Sequence, residues 1–411
     1  MLRDIRASLC GRSVRASLPG FPRSIVANRL VQGPAMTNSR PRLRIGYVVG
    51  GLGRGGAELQ LLMLAEGLIK RGHAVNVIAY DGRSVLDDDF RAVGASVTTE
   101  ESVTRRQKLR AVRGWLRASD LDVVHCVMKR ASTLTLLARW PARRPPVIAS
   151  DYSSATYGRR NAALWLSLAS FAAAQKVATE IELNRKSLER IGPWLRSKTV
   201  VIRNGLDTDH FTPPATLRSN QRDTFVFCAV GTLSSVKNPL RVVDAVAELR
   251  RRGHTRFRVE WYGRDGFWQR VNTGEEARKR VASLDLGEHI VFCGETSEVV
   301  SVYRMAHALL HASTYEGFPN AVAEGMACGL PLAVSRVSDL PLVVAEARNG
   351  FVFDETDPRS IADAMERLMD LPEAERVAMG ERSRDLAVRW FGMQRYLDEF
   401  EGLYHALSAG G

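Results

Sequence analysis

From Arg44 onward, short apolar runs alternate with stretches of helical periodicity. Leu43–Val49 reads as a buried strand, and a helix opens at Gly56 or Ala57 and stops at Arg71-Gly72, where glycine supplies the left-handed cap. Further strands fall at Ala74–Tyr80, Asp122–Cys126 and, past the Pro145-Pro146 break, Val147–Ser150. Then "VVIRNGLDTDHFTPPATLRSNQRD" gives a strand, an Asn-Gly turn, two prolines and a polar stretch, which is linker composition. After it the pattern restarts. "TFVFCAVG" looks like a fresh first strand, and "NPLRVVDAVAELRRRG" like a helix with Pro in its first turn and Gly at its end. Strands at Phe257–Tyr262, His289–Phe292 and Ala308–Ala312 continue the alternation. The expected class is α/β: two tandem doubly wound Rossmann-like domains, residues 41–205 and 206–389, with a cleft between them. Ligands of such sheets bind outside the carboxyl ends of the strands.

The net charge of +13 adds an N-terminal feature. Residues 1–40 hold seven arginines against the single acid Asp4, with no apolar core of signal-peptide length. This segment is either a basic, disordered tail or an extension ahead of a start at Met36. A second basic element, "TRRQKLRAVRGWLR", places Leu109, Val112 and Leu116 on one helical face flanked by Arg106, Arg110, Arg113 and Arg117. It reads as a solvated surface helix or as a contact for anionic lipid headgroups. No nucleic-acid-binding motif accompanies the charge. No apolar stretch reaches the roughly 18–20 residues that span a bilayer. Of the five cysteines, Cys126, Cys228 and Cys293 lie in strand-like runs; with no C-x-x-C pair they read as small buried residues of a cytoplasmic protein.

Two places carry candidate chemistry. Gly51-x-Gly53-x-x-Gly56 between strand and helix, with Asp81 downstream, fits a dinucleotide, another phosphate compound or a plain tight turn. In "STYEGFPNAVAEGMACGLP", Glu316 lies just past a strand end and a short helix begins near Asn320. The first amides of that helix (Asn320, Ala321, Val322) lack intrahelical acceptors and favour phosphate. Glu324 sits four residues into the helix, within reach of the same loop, so two carboxylates face sugar or ribose hydroxyls.

At these residues the sequence resembles the retaining GT-B glycosyltransferases of the large family four. The resemblance rests on E-x7-E (Glu316, Glu324), "GGLGRGGAE", "VIRNGLDTDHF", "VGTLSSVKN" and "GFVFDETDPRSIADAMERL" in that order. It implies a nucleotide-sugar donor, often a UDP-sugar, held mainly by the second domain. Glu324 would hold the ribose, Glu316 the transferred sugar and Lys237 the diphosphate. Gly231, Thr232, Gly317, Asn320, Ala321 and Val322 would add donor contacts. Gly53, Gly55 and Gly56 would close from the first domain, and His125 stands as a catalytic candidate near the acceptor. It further implies a C-terminal helix, 390–411, packing back on the first domain, and a saccharide or lipid-linked acceptor at a membrane's inner face. Neither a metal nor another cofactor is required, since amides, a helix terminus and a lysine can neutralise the leaving group; the D-x-D tripeptides at 87–89, 120–122 and 207–209 are chance-level. Two departures stand out: Thr232 occupies the place of a usual arginine, for which Arg264 or Arg203 is the expected substitute, and Val127 replaces the second histidine of an H-x-H. The rival readings are a non-catalytic sugar-nucleotide binder, an epimerase and a dinucleotide-dependent oxidoreductase.

Overall fold

Parallel strands need crossovers, and a right-handed crossover fixes the face on which each helix lies. A computed structural model describes residues 41–53, 55–82, 85–142, 144–151, 162–215, 224–266 and 272–410; the basic segment 1–40 and the polar linker stretch 216–223 lie outside them. The first sheet is built from β1 (Arg44–Val49), β2 (Ala74–Ala79), β3 (Ser96–Thr99), β4 (Val123–Cys126), β5 (Val147–Asp151), β6 (Lys176–Thr179) and β7 (Thr199–Val201), in the order β3-β2-β1-β4-β5-β6-β7. Winding outward through α1 (Gly56–Lys70) and α2 (Asp87–Ala92) places those helices on one face. The return through α3 (Arg105–Ala118), α4 (Lys129–Arg139), α5 (Ala162–Ala173) and α6 (Glu182–Ile191) covers the other.

The second sheet repeats the plan. Its strands are β8 (Phe225–Val230), β9 (Phe257–Tyr262), β10 (Ile290–Gly294), β11 (Ala308–His311), β12 (Leu332–Ser335) and β13 (Gly350–Phe353), in the order β10-β9-β8-β11-β12-β13. Its helices are α7 (Pro239–Arg251), α8 (Thr273–Ser283), α9 (Val299–Met305), α10 (Asn320–Ala327), α11 (Leu340–Ala347) and α12 (Pro358–Asp370). In each sheet the order reverses beside the first strand, between β1 and β4 and between β8 and β11, so each has a crevice at that point. The fold is α/β with two Rossmann-like domains. Cys126 and Cys228 are buried as expected, but Cys293 is exposed, because β10 is an edge strand with one side open to solvent.

The chain ends on the first domain. α13 (Glu373–Phe391) leads into α14 (Met393–Ala409), whose Leu397, Phe400 and Tyr404 share a core with Ile45 and Tyr47 of β1 and with Leu61 and Leu64 of α1. Leu397 comes so near that a Cβ on Gly67 would lie 2.4 Å from it. His73 Nδ1 accepts the Leu43 N–H at 3.1 Å, so its Nε2 carries the proton and faces Glu401 at 3.1 Å. His73 and Glu401 therefore tie α14 to the sheet as a strut. The two passages between domains are also joined: Leu206 N–H donates to Phe391 O at 2.6 Å, and Gln60 clasps Gly205 through its N–H (2.9 Å) and its carbonyl (3.0 Å).

At the second crevice the ends of β8 and β9 nearly touch. A Cβ on Gly263 (φ +155°) would sit 2.1 Å from Gly231 O, a contact that only backbone movement relieves. Gly253 (φ +95°) has open space instead. Gly263→Ala is therefore expected to destabilise the protein by about 3 kcal/mol or more, and Gly253→Ala by only about 1–2 kcal/mol, the left-handed penalty alone. Urea unfolding of both variants checks this; equal losses would contradict the close approach.

Candidate functional site

Three loops at the carboxyl edge of the second sheet converge on one charged pair. After β8, Gly231 turns the chain into a short loop that ends at Asn238, in the left-handed region (φ +64°) ahead of α7. Asn238 is buried, and its side-chain amide donates to Ala312 O at 3.2 Å and to Glu355 O at 2.8 Å, fastening the loop to the ends of β11 and β13. The Thr314 N–H donates to Val236 O at 2.8 Å, drawing the segment after β11 alongside. Between these anchors the Lys237 stem lies across Gly231, where a Cβ would be 3.2 Å from Lys237 Cε. The ammonium meets the carboxylate of Glu316, with side chains 24% and 16% exposed. Such a pair at the rim of a crevice is accessible to an incoming anion.

Beside it stand polar groups with unused capacity. His311 Nε2 lies 3.6 Å from Glu316 Oε1, beyond hydrogen-bond distance, and burial together with the Lys237 charge pushes its imidazole well below the usual range, so it is neutral. That Nε2 and the buried hydroxyls of Ser313 and Ser335 have no hydrogen-bond partner among the described residues. Buried polar atoms are normally paired, so three orphans at the ends of adjacent β11 and β12 depart from the usual interior.

α10 opens beside the pair. Val322 N–H bonds Pro319 O at 3.0 Å, a tight first turn that removes Val322 from the expected set of free amides. Asn320 and Ala321 remain at the positive end of the helix. One turn on, the Glu324 carboxyl accepts the hydroxyl of buried Tyr303 at 2.8 Å, and desolvation holds its pKa above the ordinary glutamate range despite that bond. Gly317 O accepts the Ser338 hydroxyl, which fixes the turn between Glu316 and α10.

The first domain contributes its glycine loop. Gly55 caps α1, and a Cβ on Gly56 would lie 3.7 Å from Asn320 Nδ2, so the loop stands over the start of α10. Gly53 has open space. Glu58, in the first turn of α1, is raised in pKa by burial. His125 goes elsewhere: it is fully buried, its Nδ1 meets Tyr404 Oη at 2.8 Å, its Nε2 meets Ser150 Oγ, and burial pushes its pKa down to about 3. It packs under α14 and does not face the cleft. Arg203 stacks on Trp390 at 4.0 Å, whereas exposed Arg264 follows Gly263 directly and so lies beside Thr232. Two of the aspartate tripeptides do structural work: Arg44 binds Asp120 and Asp122, and Asp207 accepts the N–H groups of Asp209 and His210.

One residue absent from the sequence reading belongs here. Glu180, just past β6, is buried and accepts from Phe318 N–H at 3.1 Å and from Asn204 Nδ2 at 3.2 Å. Its position past a strand end, in "VATEIELN", was the available signal. Nothing local in the sequence points across to the other domain.

Comparison with known proteins fits this geometry. Residues 54–210 match the family model described as Glycosyltransferase Family 4, and residues 217–386 the model described as Glycosyl transferases group 1. A D-inositol 3-phosphate glycosyltransferase of Corynebacterium jeikeium is 30% identical over 221 residues, 51% of this chain and 52% of that protein. The UDP-Gal:alpha-D-GlcNAc-diphosphoundecaprenol alpha-1,3-galactosyltransferase of Escherichia coli is 24% identical over 50% of this chain and 54% of its own length. The chain thus spans about half the length of the curated relatives it matches. Among solved structures, Anabaena HepE in complex with UDP superposes with a TM-score of 0.78 at 17% identity, covering 89% of this chain and 100% of that one. An OtsA structure reaches 0.65 at 12% identity, over 89% and 99%. With both halves matched in order and the two-domain architecture shared, the chain belongs to the group 1 glycosyltransferases and has the GT-B fold.

Proposed function

We propose that this protein transfers a sugar from a nucleotide sugar, of the UDP-sugar class, to an acceptor hydroxyl with retention of configuration. The observation that carries the reading is the Lys237–Glu316 pair beside the start of α10 at the crevice of the second sheet. An arriving diphosphate would draw Lys237 to itself and meet the amides of Asn320 and Ala321. Glu316 is then released toward the hydroxyls of the sugar. The growing charge of the leaving nucleoside diphosphate is spread over a lysine, two amides and a helix dipole, so no metal is required of this arrangement. Glu324 takes the ribose hydroxyls, steadied by Tyr303. The acceptor attacks from the face the nucleotide leaves, and the departing phosphate takes its proton. The acceptor is a saccharide or lipid-linked saccharide of cell-surface glycoconjugate synthesis, a reading supported by the diphosphoundecaprenol named for the E. coli relative. The four cysteines of the described part are free thiols, in keeping with a reducing, cytoplasmic setting.

We place the protein at the inner membrane face through α3. Leu109, Val112 and Leu116 are packed in the core, which leaves Arg106, Arg110 and Arg117 outward. No helix among the described residues is long and apolar enough to cross a membrane. Any attachment by α3 is therefore electrostatic and salt-sensitive.

Three outcomes test this. In calorimetric titration UDP and a UDP-sugar bind the wild type, and Glu324→Ala or Lys237→Ala weakens binding by about tenfold or more, the loss of hydrogen bonds to a charged group. NAD or FAD binding instead would restore the plain meaning of the glycine loop, and binding without sugar transfer would favour a non-catalytic protein. Because desolvation raises the Glu324 pKa and ribose needs the ionised form, affinity falls on acidification, beginning above pH 4.5, the ordinary value, and Glu324→Gln loses that dependence. Finally, anionic phosphatidylglycerol vesicles co-sediment with the protein at low salt and release it at about 0.5 M salt. Charge reversal of Arg106, Arg110 and Arg117 abolishes the binding; unchanged binding would exclude α3.

A further inference from the structure

The stretch 180–183 of the first domain is hydrogen-bonded to both loops that flank Gly317 in the second. Glu180 accepts the amide of Phe318, two residues past Glu316. Asp339 reaches the other way, accepting the N–H groups of Glu182 (2.7 Å) and Leu183 (3.0 Å) in the first turn of α6. Its neighbour Ser338 donates to Gly317 O. Asn204 completes the ring: its Nδ2 contacts Glu180 Oε2 at 3.2 Å and Asn320 Oδ1 at 3.4 Å. Phe318 is itself buried and packs on Phe391, with ring centroids 4.7 Å apart.

We propose that Glu180 is a positioning residue of the transfer site: from the first domain it fixes the Glu316–Pro319 turn of the second, so that Glu316 takes its working place only while the two carboxyl edges are docked. The proposal rests on the reading of Glu316 and Lys237 as the sugar and diphosphate contacts.

The burial of this carboxyl is the second argument. Glu180 is 4% exposed, and burial pushes it up to about 8, against the lowering effect of its two hydrogen bonds. The charged groups around it are Asp151, paired with Lys129 at 3.3 Å, and Glu316, paired with Lys237; both acids raise it further. Held near 8, the carboxyl is largely protonated at neutral pH and meets the Phe318 amide as a neutral acceptor, a role that a glutamine reproduces. Strongly shifted carboxyls in clefts concentrate at functional sites. When the domains part, Glu180 regains water and the Phe318 amide loses its acceptor, so the bond is specific to the docked arrangement.

Two variants of the full-length protein, Glu180→Ala and Glu180→Gln, decide the matter. Hydrogen exchange without ligand is expected to accelerate in peptides covering Gly317–Asn320 of the alanine variant, with β8 peptides unchanged. UDP, bound by the second domain, keeps its affinity within about twofold, while release of UDP from UDP-glucose by the alanine variant drops by about tenfold or more. Glutamine keeps an acceptor for Phe318 N–H and restores most of both. The proposal is overturned by unaltered exchange at Gly317–Asn320, by unaltered turnover, or by UDP affinity and thermal midpoint falling together with turnover, the pattern of a merely structural residue. If the wild type neither binds UDP nor consumes UDP-glucose, the functional reading fails on its own, and the exchange experiment still shows whether Glu180 holds the turn.

Discussion

The ion pair between Lys237 and Glu316 is the interaction on which the cleft depends. Both side chains are partly buried, and each charge offsets the hydration the other has lost. Asn238, locked in the left-handed region, ties the lysine loop to the ends of β11 and β13, while Thr314 brings the glutamate loop beside it. The pair is well made for exchange. In the proposed function a polyanion would replace Glu316 as the partner of Lys237, and the carboxylate would then accept from hydroxyls. In that proposal the resting ion pair and ligand recognition draw on the same two side chains.

This arrangement follows from topology. In parallel sheets the loops after the strands, and the amides of the helices that follow, gather at one edge. The reversal between β8 and β11 opens a crevice there, and the start of α10 supplies positive potential beside it. The first sheet repeats the order and turns its own carboxyl edge toward the second. The joined passages at Leu206 and Phe391, with Gln60 clasping Gly205, hold the edges facing. α14 then closes the first core with Phe400 and Tyr404.

Much of this was legible in the chain. The recurrence of short apolar runs gave the two α/β halves, because fully buried parallel strands leave that mark. Glu316 and Glu324 could be set beside one loop because each lies near a strand end or a helix start, whereas the place of Lys237 came only with the resemblance. Illegible features involved partners distant in sequence. His125 ends a strand near the crevice but is sealed by Tyr404, which no local pattern announces. Val322 was expected to offer its amide, and a one-residue tightening of the first turn of α10 consumes it. Cys293 sits in an apolar run whose edge position only the sheet order reveals. Glu180 and Phe318 meet across 138 residues of chain.

The most direct test of the central claim is a crystal structure of the protein with UDP-glucose. The account predicts the diphosphate on Lys237 and the amides of Asn320 and Ala321, the ribose on Glu324, and the glucose within reach of Glu316. A nucleotide seated instead along Gly51–Gly56 with its ribose at Asp81, and the Lys237–Glu316 pair intact, would contradict it.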